Sequence, residues 1–137
     1  MSTHSKLPAI RNFAGLAEVV EDVAAATRIY EEVFGLEVDA LDADHAEVRL
    51  PGLPRLAIWS RRAAAQSIYG DWSRSAEVPL GLLLGLEVES VDQETAQAVM
   101  NGMDFLQGPR RERNGQVTSR FRLASGAIAE LSQREEE

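Results

Sequence analysis

From Phe13 to Gly35 the chain passes from a short half-apolar run into an amphipathic repeat. Val19 and Val20, among alternating small and apolar neighbours, predict a strand, and Asp22 suits an N-cap because its carboxylate can accept from the first-turn amides of a helix. Val23, Ala26, Ile29 or Tyr30, Val33 and Phe34 then recur at spacings of three and four, which predicts a helix with these residues on its buried face. Glu31 and Glu32 point away, and Gly35 stands where a left-handed C-terminal residue is wanted. Leu36 to Leu41 reads as a second strand and Asp42 to Asp44 as a polar turn. His45 to Leu50 alternates strictly, with Ala46, Val48 and Leu50 on one face and His45, Glu47 and Arg49 on the other. The reversal PGLP at 51–54 turns the chain into a fourth strand, Leu56 to Ser60.

From Arg61 to Val78 the periodicity fails, apart from one helical turn's worth of RRAAAQ, and the aromatic residues are Tyr69 and Trp72. This predicts a linker, either a flap over a pocket or a clamp on the outside of the core. The pattern then restarts. Leu80 to Val88 puts Leu82, Leu84, Leu86 and Val88 on one side and Gly81, Leu83, Gly85 and Glu87 on the other, a strand with one greasy and one mostly small face. Ser90 and Gln93 form a capping-box pair ahead of a helix from Val91 to Asn101 that Gly102 ends. Phe105 to Arg111 and Gln116 to Leu123 are strands joined around Asn114-Gly115, a favoured hairpin dipeptide, and Ala127 to Gln133 is the last strand. Each half therefore reads strand, helix, strand, strand, strand, with Asp22 and Ser90 at equivalent caps. The expected class is α+β, two βαβββ modules in tandem, with helices outside and the sheets' free faces meeting or enclosing a space.

Bulk properties narrow the function. A chain of 137 residues with 45% hydrophobic content makes one domain, divided as module 1 (13–60), linker (61–78) and module 2 (79–133). The net charge of −8 argues against nucleic acid and anionic membranes as partners and favours a cationic one. There are no cysteines, which removes disulfides, thiolate ligands and cysteine nucleophiles. Of the two histidines, His4 falls in a polar lead-in that contains Pro8, and His45 on a solvated strand face. No apolar signal segment or membrane-length run is present, so a cytoplasmic location is expected.

The cadence of Glu21-Asp22 before a helix ending in Tyr30 and Val33-Phe34-Gly35-Leu36, its duplication, and the closing Gly126-Ala-Ile-Ala-Glu130-Leu131 resemble the vicinal oxygen chelate superfamily. That group contains glyoxalases, bleomycin-resistance proteins, fosfomycin-resistance enzymes and extradiol dioxygenases. The resemblance runs from about Phe13 to Gln133. It implies two modules curled into a cup and, in metal-dependent members, ligands on the first and last strand of each module. Those positions fall on Gly15, Leu83, Ala57 (or Ile58 with a slip of one residue) and Glu130. Glu130 alone offers a donor and is the one metal candidate, so neither a metal nor another cofactor is expected. The bleomycin-resistance-like branch, without metal, is the nearest match, and it implies a homodimer with pockets between chains. Asn114 and Ala124-Ser125 replace a tryptophan and an aspartate-proline found in many relatives.

If Ala57 faces the cup, parity brings Trp59 and Arg61 with it. Trp59 can stack on a planar ligand, attract a cation, or simply pack in the core. Trp72 and Tyr69 are candidates to cover the pocket, and Phe121 is a core residue bordering the same site. Glu87 and Glu130 are placed on the concave side, either paired with Arg120 and Arg122 or forming a negative floor. The expected function is non-catalytic binding of a small aromatic or cationic organic molecule, for sequestration, carriage or resistance. The alternatives are a glyoxalase-like lyase or dioxygenase with a relocated metal site, and a regulatory or scaffold domain without ligand.

Overall fold

The computed structural model describes residues 10–53 and 55–133. The lead-in with His4 and Pro8, the second proline of the PGLP reversal, and the tail from Arg134 onward lie outside the described residues. Among the described residues, eight strands and three α-helices follow the order β1 (Ile10–Val20), α1 (Val23–Arg28), β2 (Glu37–Asp42), β3 (His45–Arg49), β4 (Leu56–Ser60), α2 (Arg61–Tyr69), β5 (Gly81–Val88), α3 (Val91–Met100), β6 (Asp104–Arg111), β7 (Val117–Arg122) and β8 (Ile128–Gln133). The caps do what their chemistry demands. Asp22 accepts from the Ala25 amide at 3.1 Å and Ser90 from the Gln93 amide at 3.1 Å.

The strands form one curled, unclosed sheet in the order β2-β3-β4-β1-β5-β8-β7-β6. Its seam is β1 against β5, antiparallel, within one chain. The two sets of four strands thus join edge to edge, and the floor of the cup belongs to a single copy. On the outer face α1 covers Ala46, Val48, Leu56 and Ile58 with Val23 and Ala26, while α3 covers Val88, Phe121 and Leu131 with Val91.

Two expectations need correction. The first helix does not continue to Phe34 in α geometry; after Arg28 it widens into a π-helical turn, Ile29–Val33, closed by the Phe34 amide on the Ile29 carbonyl. The wider turn rotates the side chains out of register with α1. Tyr30 is turned inward and donates its hydroxyl to Glu18 at 2.7 Å, whereas Ile29, Val33 and Phe34 stay exposed. Burial first, then the Glu18 carboxylate, pushes the Tyr30 phenol up to about 12.

The second correction concerns 61–78, which is a packed element rather than a linker. Ser60 caps α2 by accepting from the Ala63 amide at 3.1 Å, and Gly70 closes the helix in the left-handed region at φ 70°. Ala64, Ala65 and Ile68 are completely buried against Ala17, Val19, Ala57, Leu83 and Ile128. Their i, i+1, i+4 spacing is a narrow helical face, disguised in the sequence by the small size of alanine. A short 3₁₀ segment, Trp72–Glu77, then returns the chain to β5. Since Ala17, Ala57 and Leu83 belong to the inner face of the sheet, α2 fills one end of the cup.

Candidate functional site

The strand registers arrange the inner face in rows. One row runs Asn12, Glu87, Ser132; the next Gly15, Gly85, Glu130; the third Ala57, Ala17, Leu83, Ile128. Helix α2 lies on the third row, and the first two stay open as a cavity of about 570 Å³. Trp59, Arg55 and Gln116 complete its wall, together with Phe13.

Gly15, Ala57, Leu83 and Glu130, assigned to one site by resemblance, do meet on this cavity. Gly15 is there for a backbone reason. It sits at an irregularity of the β1–β5 pairing with φ 153°, and a Cβ at this point would lie 3.2 Å from both Cβ and the carbonyl oxygen of Arg55. The Arg55 carbonyl accepts from the Leu16 amide at 3.0 Å, which fixes the wall that a side chain would strike. Gly85 opposes Gly15 across the seam, and its own Cβ would lie 3.2 Å from the Gly15 oxygen.

Glu130 is held from behind. Arg120, 2% exposed, gives Nη2 to Glu130 at 2.6 Å and to the Ser67 hydroxyl at 3.0 Å, and Nη1 to Gln107 at 2.9 Å and Thr118 at 3.0 Å. Glu112 accepts from Thr118 at 2.7 Å and Arg110 at 2.9 Å. Desolvation would raise the Glu112 carboxyl, but these bonds and the two guanidinium charges outweigh it and hold the group below its ordinary value. Arg110 also donates to the Ser67 carbonyl, so the network ties α2 to the second set of strands. Arg122 pairs with Asp104 at 3.6 Å instead.

Glu87 accepts from the Asn12 amide at 2.8 Å, at the open end of the cup. Trp59 is half-buried between the cup and the α2 cluster, with the His45 ring edge-on at 6.5 Å. His45 is itself bonded through Nδ1 to Asp42 at 2.9 Å. Arg61 leaves the cup because β4 ends at Ser60; its guanidinium donates to the Val78 carbonyl and lies 3.6 Å from Glu21.

The remaining residues sit elsewhere. Trp72 is 59% exposed, stacked on Arg62 at 5.5 Å and facing a shallow cleft with His45 and Gln66. Tyr69 packs on the α2 cluster with the Arg74 guanidinium 3.8 Å above its ring. Phe121 is buried on the opposite face, edge-on to Phe105 at 5.5 Å. Asn12, Phe13, Arg55, Gln116 and Ser132 line the cavity without having been marked by the sequence. Ser132 and Arg55 were within reach of the parity that located Glu130 and Ala57; the others depend on the irregular pairing near Gly15 and on loop paths.

The donor set does not fit a divalent metal. Gly15, Ala57 and Leu83 offer none, Glu130 already serves Arg120, and among the described residues no three His, Cys, Asp or Glu side chains converge. What the cavity does offer is an indole wall, an apolar end, and carboxylates.

A sequence profile described as the Glyoxalase/Bleomycin resistance protein/Dioxygenase superfamily matches residues 14–131. No curated protein matches the sequence. Among solved structures, a methylmalonyl-CoA epimerase variant of Streptomyces coelicolor, in complex with 2-nitronate-propionyl-CoA, is similar with TM-score 0.58 and 17% identity, over 93% of this chain and 99% of that one. A Legionella pneumophila protein described as an NAD-dependent benzaldehyde dehydrogenase gives 0.60 and 15%, over 88% and 97%. A superfamily member from Vibrio splendidus 12B01 gives 0.57 and 12%, over 88% and 97%. At these identities the likeness is one of fold.

Proposed function

Because the chain belongs to the glyoxalase/bleomycin resistance protein/dioxygenase superfamily, we propose that it uses the superfamily's cup to bind a small aromatic or cationic organic molecule without metal and without catalysis. The observation that carries this reading is the cavity of about 570 Å³ walled by Trp59, in which three of the four metal-ligand positions hold Gly15, Ala57 and Leu83. Concave sites with an aromatic wall and a few polar groups suit ligand capture. Sequestration, carriage and resistance are roles compatible with such capture, and a cytoplasmic location belongs to the same proposal. Among the described residues, no helix is long and apolar enough to cross a membrane.

The enzymatic reading, a lyase or dioxygenase with a relocated metal, draws on the neighbours that are named as enzymes. Among the described residues it lacks a converging set of donors. The proposal also includes a homodimer, supported by the apolar side chains Ile29, Val33 and Phe34 left exposed together on one turn. Metal analysis of protein purified without a chelating tag, with thermal-shift screening of aromatic amines, tests the binding reading. It predicts substoichiometric metal and a ligand-dependent rise in Tm. Stoichiometric metal that Glu130→Gln abolishes would overturn it.

A further inference from the structure

One contact surface on the outer face is complementary to itself, and we infer that two copies of the chain associate through the turn Ile29–Val33, antiparallel about a two-fold axis. This inference rests on the homodimer proposed above and names its contact.

The turn is fixed from the inside. Tyr30 donates to Glu18 at 2.7 Å, the Phe34 amide to the Ile29 carbonyl at 3.3 Å, and the Leu36 amide to the Tyr30 carbonyl at 3.0 Å. A π turn closes over five residues, so Ile29 lies under Val33 and Phe34. These three make an apolar stripe, 52%, 70% and 63% exposed. Single apolar side chains on a surface are ordinary, whereas a contiguous stripe presented by a fixed backbone marks a contact site. The stripe continues α1, which covers the outer face, so association through it leaves both cups open.

The bordering charges decide what the stripe meets. Arg28 and Glu32, four residues apart, flank it on one side, and both are exposed. Among the described residues neither has a hydrogen-bond or ion-pair partner. Glu31, two places from both Ile29 and Val33, points elsewhere. Turning a second copy about an axis that crosses the stripe runs the two turns in opposite directions. Ile29 then packs on the second copy's Val33, and Arg28 stands opposite the second copy's Glu32, once on each side of the axis. A parallel placement would instead set Arg28 on Arg28 and Glu32 on Glu32. A basic partner would meet Arg28 and an acidic one Glu32, so the pair suits a second copy better than either. The stripe is on the order of a few hundred Å² per copy, at the small end of specific interfaces, and association in the micromolar range is expected.

Sedimentation equilibrium of the full chain at neutral pH, from roughly 1 µM to 1 mM, tests this. The wild type is expected to show a reversible monomer–dimer equilibrium. Arg28→Glu alone and Glu32→Arg alone each set like charges together twice and should weaken it at least about tenfold. An equimolar mixture of these two variants should dimerise within about threefold of the wild type, because both contacts again join unlike charges. Dimers that the single variants leave unchanged, or single variants whose mixture stays monomeric, overturn this contact and leave the homodimer open to another surface. A wild type that stays monomeric throughout removes both this contact and the homodimer, and leaves the metal-free binding reading of the cup standing.

Discussion

Arg120 and Glu130 face each other across β7 and β8 at 2.6 Å, the guanidinium buried and the carboxylate opening on the cup. The same arginine holds Ser67 of α2, so one side chain joins the cavity floor to the helix that closes its end. This makes Glu130 a structural acid held by a buried guanidinium, whereas Glu87 accepts from Asn12 on the exposed seam.

Removing the acceptor should show that difference. Glu130→Gln leaves a buried charge with one acceptor fewer and is expected to cost about 2 kcal/mol. Glu87→Gln should cost less than about 1 kcal/mol, in line with an exposed polar contact. Urea unfolding of both variants checks the ranking, and equal costs would contradict it.

Helix α2 is predicted to belong to the cooperative core. Ile68→Ala deletes a fully buried side chain and is expected to destabilise the protein by about 2–5 kcal/mol. Amide exchange across Ala63–Tyr69 should be as slow as in the strands. A loop-like exchange rate there would contradict the packed-element account.

Gly15 should resist substitution. At φ 153°, with Arg55 3.2 Å from a new Cβ, Gly15→Ala is expected to lose at least about 1 kcal/mol. Gly15→His should lose more and gain no stoichiometric zinc, measured by metal analysis after dialysis against zinc.

Asp44 supplies a pH signature. The Arg62 guanidinium, then the Ser60 hydroxyl, pull its carboxyl from 3.8 down to about 2. A depressed acid stabilises the fold fully above its unfolded value and loses that contribution as pH falls through the folded one. The stability gap between wild type and Asp44→Asn should therefore be constant above about pH 5 and close between about pH 4 and 2. Thermal unfolding across that range checks it.

How much was legible follows from what each residue needs. Strands β1 to β8 and both outer caps declared themselves because alternation, Asp22, Ser90 and Asn114-Gly115 act locally. Glu87 and Glu130 were placed on the inner face by a period of two together with the family's positions, and Trp59 by the same period once Ala57 was taken to face the cup; that period survives any curvature of the sheet. What failed was non-local or small. Ala64 and Ala65 carry a buried face that reads as a bland spacer, and the π-helical turn at Ile29 brings Tyr30 to Glu18 on a different element, a pairing that no helical period announces. Trp72 drew notice as an aromatic residue in a linker, yet its ring rests on Arg62, outside the cup. Asn12 faces the cavity because the β1–β5 pairing is irregular between Phe13 and Gly15.

The central claim is a metal-independent cup read by Trp59. Its most direct measurement is a titration of Trp59 fluorescence with the aromatic amines of the thermal-shift screen, in a Trp72→Phe variant that leaves Trp59 as the indole reporter, before and after exhaustive chelation. The account predicts the same saturable change in both samples. A response that vanishes on chelation and returns with a stoichiometric divalent metal would contradict it.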